Sequence, residues 1–261
     1  MISSPCTLKI PAPEMTSPKT QPELEHEKQL AGEKVASWIP QGACIGIGSG
    51  TTSAYFIRAL GKRVRDGLRV SGIATSVASE ELARSVGIPL VQPASGLRLD
   101  FTVDGADEIT PGLDLIKGGG GKLLREKVIA SASKFLLVVA DSSKPVPLLG
   151  AMPLPVEVVP FSEPWVKDRI TALGGHPMRR EQNGSPVPTD QGNWLLDCHF
   201  GRIEDPAGLA RALRAIPGIL EHGLFLGMAK LAVVADGDRI MLMRPGVPAV
   251  PAEHISALPE L

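Results

Sequence analysis

Between Asp100 and Lys127 the chain reads DFTVDGADEITPGLDLIKGGGGKLLREK, and most side chains able to do chemistry fall within it. Asp104, Asp107 and Glu126 are carboxylates, Lys117 and Lys127 are amines, and the run Gly118, Gly119, Gly120, Gly121 lies between them. Carboxylates beside lysines suit proton transfer next to a sugar carbonyl. One carboxylate removes the proton, a second acid serves the oxygens, and an ammonium steadies the enediolate. A bare glycine loop before a helix lets amides approach an anion closely, and the helix start favours negative charge, so phosphate is the ligand the loop suits. Each residue also has a plain structural explanation. Asp104 and Asp107 are good turn formers, and Glu126 can pair with Lys122 one helical turn away. Their concentration beside the glycines favours a site.

The glycines fit neither familiar nucleotide motif. A P-loop would need glycine at Ile116 and a hydroxyl at Leu123, and Lys117 to Lys122 lacks the Gly-x-Gly-x-x-Gly order of a dinucleotide loop. No Gly-x-Ser-x-Gly elbow occurs, which argues against a serine hydrolase. Cys198 and His199 are adjacent on an expected strand and point to opposite faces, so they are a poor pair of metal ligands.

The elements that must position these residues alternate between strand and helix. Pro22 to Ile39 reads as an amphipathic helix with Leu24, Leu30, Ala31, Val35 and Trp38 on one face. Lys28 lies on its polar face, where a solvated charge is the simple reading. Ala43–Gly48 is a short buried strand that runs into Ser49, Gly50, Thr51 and Thr52, and residues 53–60 read as a helix. Those hydroxyls can hold phosphate, cap the helix, or both. Strands follow at 69–74, 90–91, 101–103 and 135–140, and helices at 76–86 and 121–131, with Asp104 and Asp107 on the turn after Val103. This order implies a parallel sheet with right-handed crossovers, whose ligands collect at the carboxyl ends of the strands. The turns after Gly48, Val103 and Ala140 then deliver hydroxyls, carboxylates and Lys144 to one crevice.

After the proline-rich stretch 145–155 the pattern becomes β-α-β-β-α-β: a strand at 156–161, a helix marked by Trp165, Ile170 and Leu173, strands at 177–180 and 194–200, a helix at 207–216 and a strand from Ile219. That is the ferredoxin-like order. The expected division is a disordered extension over 1–21, a parallel-sheet catalytic domain over 22–150 completed by 223–261, and an inserted α+β domain over 151–222.

The chain has 261 residues and a formal net charge of −1, which gives no reason to expect a nucleic acid or an anionic membrane as partner. Its three cysteines, Cys6, Cys44 and Cys198, are far apart, which argues for a reducing compartment. No apolar run approaches membrane-span length, and no apolar signal core opens the chain, so the expectation is a cytoplasmic protein.

GIGSGTT at 46–52, DGADEI at 104–109, KGGG at 117–120, LREK at 124–127 and DSSK at 141–144 resemble, in order and spacing, the ribose-5-phosphate isomerase A family. The resemblance continues through PLPVEVV at 153–159 and AIPG at 215–218 and spans nearly everything after Gln21. It implies a Rossmann-like parallel-sheet α/β domain with an inserted ferredoxin-like domain, and reversible conversion of ribose 5-phosphate to ribulose 5-phosphate in the non-oxidative pentose phosphate pathway. It implies no metal or organic cofactor, and a homodimer or homotetramer. Carried over by position, Glu126 is the general base, and Asp104 and Asp107 are carboxylates for ring opening and hydroxyl protons. Lys117 with the Gly118, Gly119 and Gly120 amides stabilises charge. Ser49, Gly50, Thr51 and Thr52 form the substrate turn, with threonine common at the Ser49 position. Gly105 and Ala106 fall in the same substrate-binding stretch. Lys144 binds substrate and Lys28 contacts phosphate. Lys122 stands where small residues are common, and adds positive charge near the loop. An amino-sugar-phosphate deaminase, a CoA transferase and a non-catalytic sugar-phosphate sensor are other readings of the same scaffold, and activity on free sugar phosphate separates them.

Overall fold

The computed structural model describes residues 19–252 and 255–259. Most of the expected N-terminal extension lies outside the described residues. In chain order the first part comprises α1 (Gln21–Trp38), β1 (Cys44–Ile47), α2 (Thr51–Arg65), β2 (Ser71–Ala74), α3 (Val77–Ser85), β3 (Phe101–Asp104), β4 (Glu108–Ile109), β5 (Leu115–Ile116), α4 (Leu123–Ser131) and β6 (Leu136–Asp141). Next come β7 (Leu154–Val158), α5 (Glu163–Ala172), β8 (His176–Arg179), β9 (Glu181–Gln182), β10 (Ser185–Pro186), β11 (Trp194–His199), α6 (Pro206–Arg214) and β12 (Ile219–His222). The chain finishes with β13 (Leu224–Phe225), β14 (Ala229–Asp236), β15 (Arg239–Arg244) and β16 (Val247–Pro251).

A seven-stranded sheet of order β16-β15-β14-β6-β3-β1-β2 forms the centre. From β14 to β2 every pairing is parallel, while β15 and β16 add on antiparallel. Every residue of β6 is buried, as a central parallel strand covered on both faces requires. Its side chains alternate between two cores. Leu137 and Val139 join Ile45, Ile47, Phe56, Ile57 and Leu60. Leu136, Val138 and Ala140 instead meet Ile109, Leu115 and Phe225. Here β4, β5 and β13 make a small three-stranded sheet that carries Lys117 away from β5.

The second unit is a four-stranded antiparallel sheet of order β12-β7-β11-β8 with α5 and α6, the ferredoxin-like arrangement. Its own core includes Val156, Val158, Val166, Ile170, Leu196, Cys198 and Leu213. The strands of this sheet fall between Leu154 and His222. Cys198 is buried and His199 exposed, as alternation on β11 demands.

Several expectations are corrected. Asp104 is the last residue of β3 rather than part of the turn after it. Leu90 makes a single bridge to Gly72 instead of a strand. α2 starts earlier than expected and runs on to Arg65, because Lys62, Arg63 and Arg65 continue the helix and suit its C-terminal dipole. Trp165 is not on the buried face of α5: it is 61% exposed and packs against Phe161, with ring centroids 5.5 Å apart. Among the described residues no helix is long and apolar enough to cross a membrane.

Candidate active site

β1 and β3 lie side by side, and their carboxyl ends build the floor of the site. Gly48 must be glycine: a Cβ there would lie 2.3 Å from Asp104 Oδ1. The bare backbone admits the Asp104 carboxylate beneath the turn, where Oδ1 accepts the amides of Ser49 (2.9 Å) and Gly105 (2.8 Å) and the Ser53 hydroxyl at 3.4 Å. Gly50, at φ +91°, is the N-cap of α2 and lets Thr51 and Thr52 open the helix at the site. Ser49 Oγ is braced against Thr75 Oγ1 at 2.6 Å.

Lys117 is the centre of charge. Its buried Nζ donates to Gly105 O at 2.6 Å and lies 3.1 Å from Asp104 Oδ2 and 3.2 Å from Glu126 Oε2. Neither of those two carboxylate oxygens has a hydrogen bond, so the ammonium is their main compensation. Burial by itself would lower the Lys117 pKa, but the surrounding Asp104, Glu126 and Asp107 carboxylates outweigh it and raise the pKa. Burial likewise raises Glu126, to about 8. Lys117 opposes that shift, and Asp104 and Asp107 add to it. The Glu126 carboxyl is therefore poised near neutrality, where a general base works best.

Lys127, the next residue on α4, points elsewhere. Its Nζ donates to Glu221 Oε1 at 2.7 Å and to the His222 carbonyl, and stands 4.7 Å from the Phe225 ring centroid. Burial lowers its pKa to about 8 against the opposing pull of Glu221. It fastens the helix that carries Glu126 to β12.

A cavity of about 280 Å³ opens above this cluster. Ser49, Gly50, Thr51 and Thr52 form one wall, and Gly105, Ala106 and Asp107 another. Lys117, Gly118 and Gly120 supply the third, and Lys28 and Lys144 complete it. Asp104, Gly119 and Glu126 are not on the wall; Asp104 and Glu126 sit one ion pair behind Lys117. The Gly119 amide is given to Asp107 Oδ2 at 2.7 Å. Among the described residues the amides of Gly118 and Gly120 have no acceptor, and both glycines face the cavity. The site thus offers three lysines, two free amides and a row of hydroxyls to an anion, beside a buried carboxylate–ammonium cluster.

Residues 71–239 match the family model described as ribose 5-phosphate isomerase A (phosphoriboisomerase A). The ribose-5-phosphate isomerase A of Roseiflexus castenholzii is 48% identical over 218 residues, covering 82% of this chain and 93% of that protein. This chain belongs to the ribose 5-phosphate isomerase A family. The solved family member from Methanocaldococcus jannaschii superposes with a TM-score of 0.80 at 35% identity, covering 84% of this chain and 99% of that one. A ribose-5-phosphate isomerase solved in complex with phospho-erythronic acid gives a TM-score of 0.82 at 33% identity, covering 85% and 99%.

Two of the lysines in this ribose 5-phosphate isomerase A family member differ from the sequence reading. Lys28 is not a solvated helix charge. It lines the cavity, is mostly buried and pairs with Glu25 at 2.7 Å. Lys122 does not pair with Glu126; its ammonium is taken up by Asp190 of the smaller unit. Reasoning from sequence also passed over Glu27, which the fold makes central. Its buried carboxylate accepts the Ser142 amide (3.0 Å), the Ser142 hydroxyl (2.8 Å) and the Gly237 amide (2.7 Å), and pairs with Lys19. It thereby clamps the helix bearing Lys28 to the turn bearing Lys144.

Burial would raise the Glu27 pKa, but these donors outweigh it and lower it from 4.5 to about 2. A depressed carboxylate stabilises the fold above its unfolded pKa and loses that contribution as pH falls through the folded value. Glu27→Gln is expected to lower stability by on the order of 3 kcal/mol at pH 7, from about 1.4 kcal/mol per pKa unit. The deficit should shrink between pH 4.5 and 2. Urea unfolding at pH 7 and pH 3 checks it, and an equal deficit at both would refute the clamp's electrostatic origin.

Proposed function

We propose that this chain interconverts D-ribose 5-phosphate and D-ribulose 5-phosphate, with Glu126 as the general base. The observation that carries the reading is the Lys117 ammonium, held between Asp104 and Glu126 at the wall of an anion-shaped cavity. Lys28, Lys144 and the hydroxyls of Ser49, Thr51 and Thr52 hold the substrate. Asp104 and Asp107 move hydroxyl protons during ring opening. In the open aldose, Glu126 takes the proton from C2, the C2–H electrons form the C1–C2 double bond, and the carbonyl oxygen at C1 gains charge. Lys117 and the Gly118 and Gly120 amides stabilise that enediolate. Glu126 returns the proton to C1, the hydrogen on O2 passes to O1, and the ketose results with no net gain or loss of atoms.

Substrate that draws the Lys117 ammonium forward uncovers Glu126, which explains a base lying one ion pair behind the wall. Support also comes from the relative solved with phospho-erythronic acid, a phosphorylated aldonic acid whose flat carboxylate resembles an enediolate in charge. The non-oxidative pentose phosphate pathway, a cytoplasmic location and an assembly of two or four copies belong to the same reading. The exposed pair Phe161 and Trp165 is apolar surface that a contact between copies would cover.

The deciding experiment is incubation of purified protein with ribose 5-phosphate, with and without a chelator, while ribulose 5-phosphate is followed. Formation unaffected by chelator supports the reading, and no turnover by folded protein counts against it. The pH profile makes it sharper. kcat/KM is expected to rise with pH through an apparent pKa near 8, the value to which burial raises Glu126. Asp104→Asn removes a like charge beside Glu126 and should move that limb to lower pH. A limb that stays in place would separate it from Glu126.

A further inference from the structure

The loop Gly118–Gly120 is held from two sides, and one of the two holders is in the inserted domain. Arg180 follows β8. Its Nη1 donates to the carbonyls of Gly118 (3.2 Å) and Gly119 (2.9 Å). Its Nε donates to Asp197 Oδ2 at 2.9 Å, and its Nη2 donates to Asp197 Oδ1 on β11. The guanidinium is thus fixed by a two-pronged carboxylate pair on one edge and grips the loop with the other.

A trans peptide carries its C=O and N–H on opposite sides of one plane. Drawing the Gly118 carbonyl toward Arg180 therefore sends the Gly119 N–H the other way, where it meets Asp107 Oδ2 at 2.7 Å. Drawing the Gly119 carbonyl to the same guanidinium turns the Gly120 N–H away from the inserted domain, and Gly120 lines the cavity. One side chain bears on two peptide planes, and those planes turn one amide to a site carboxylate and the other toward the cavity. The Gly121 amide also donates to the Gly118 carbonyl at 2.9 Å, so the loop closes that turn itself; for the Gly119 carbonyl the donor is Arg180.

We propose that Arg180, locked by Asp197, is a positioning residue for the isomerisation: it orients the glycine-loop amides, and through it the inserted domain takes part in the chemistry. This rests on the isomerase reading above. Arg180 does not line the cavity, so its effect appears in turnover more than in anion binding, which Lys28 and Lys144 provide from the other walls.

The test compares wild type, Arg180→Ala, Arg180→Lys and Asp197→Asn in the full-length protein. Misplacing catalytic donors by an ångström lowers rate by on the order of 10²-fold. Arg180→Ala is therefore expected to lose about that much kcat, with inorganic phosphate still inhibiting at similar concentration. Added guanidinium chloride at millimolar level should restore part of the loss in Arg180→Ala and none in wild type. Arg180→Lys, which cannot fork, should remain impaired, and Asp197→Asn should lose less than Arg180→Ala. Amide hydrogen exchange supplies a readout independent of turnover. Gly119 N–H should exchange faster in Arg180→Ala, because its hold on Asp107 is loosened. Unchanged kcat in Arg180→Ala, or a loss without guanidinium rescue and with unchanged Gly119 exchange, overturns the proposal. Absence of turnover in wild type would sink the isomerase reading instead, and Gly119 exchange would still decide the positioning role.

Discussion

Glu126→Gln is expected to lose between about 10² and 10⁴ in kcat while KM stays close to the wild-type value, because general base catalysis contributes roughly that factor. The substitution keeps the length and planarity of the side chain and removes the proton acceptor together with its charge. Lys117 keeps two of its three partners, since Gly105 O at 2.6 Å and Asp104 Oδ2 at 3.1 Å are untouched. The cavity wall is unaltered too, because Glu126 lies behind it. A fall in kcat with a stable fold and unchanged KM therefore isolates the base. Loss of exchange between the C2 hydrogen and solvent would mark the same step directly. Turnover at the wild-type rate would assign the proton transfer to another group, with Asp107, which does line the cavity, as the next candidate.

How much of this was legible in the sequence depended on how local the determining contact is. β6 announces itself through LLVVA at 136–140, because a strand buried on both faces needs an unbroken apolar run. The site motifs are also local: Ser49 to Thr52, Asp104 to Asp107 and Lys117 to Gly120 are each short, and the parallel-sheet rule brings the first two of these turns to one edge. The order of strands in the second unit follows from the alternation of element types in the same way. Contacts between distant positions left no such trace. Glu27 binds Ser142 across 115 positions, Arg180 reaches Gly119 across 61, and Lys122 finds Asp190 across 68. No periodicity in a single sequence encodes those pairs. Two-residue strands such as β4, β5 and β13 are too short to show a period, so the small sheet that carries Lys117 was invisible as well. Trp165 misled for the opposite reason: its apolar character fitted a buried helix face, but a large part of it lies in solvent.

Lys117→Met is expected to have the largest combined effect, because it removes the one ammonium that two buried carboxylate oxygens share. Asp104 Oδ2 and Glu126 Oε2 would then face each other without compensation. Removing one partner from a buried ion pair typically destabilises by about 3–5 kcal/mol. The sign of its pH dependence follows from the same cluster. Lys117 lowers the Glu126 pKa against burial, so without it the carboxyl moves further above about 8. A carboxylate whose folded pKa exceeds its unfolded value destabilises the fold increasingly as pH rises above the unfolded value. The deficit of Lys117→Met should accordingly be larger at pH 9 than at pH 7, because below about 8 Glu126 is protonated with or without Lys117; it grows with pH as that of Glu27→Gln does, but in a higher window. Activity should fall for two separable reasons: the enediolate loses its ammonium, and the base holds its proton to higher pH than in wild type. Urea unfolding at the two pH values tests the first part, and a pH–rate profile displaced to higher pH tests the second. The double variant Lys117→Met with Asp104→Asn should recover part of the stability, since one of the stranded charges is gone, but none of the turnover. A deficit independent of pH would mean that Lys117 acts by packing against Phe225 rather than by charge, and the electrostatic account of the site would have to be given up.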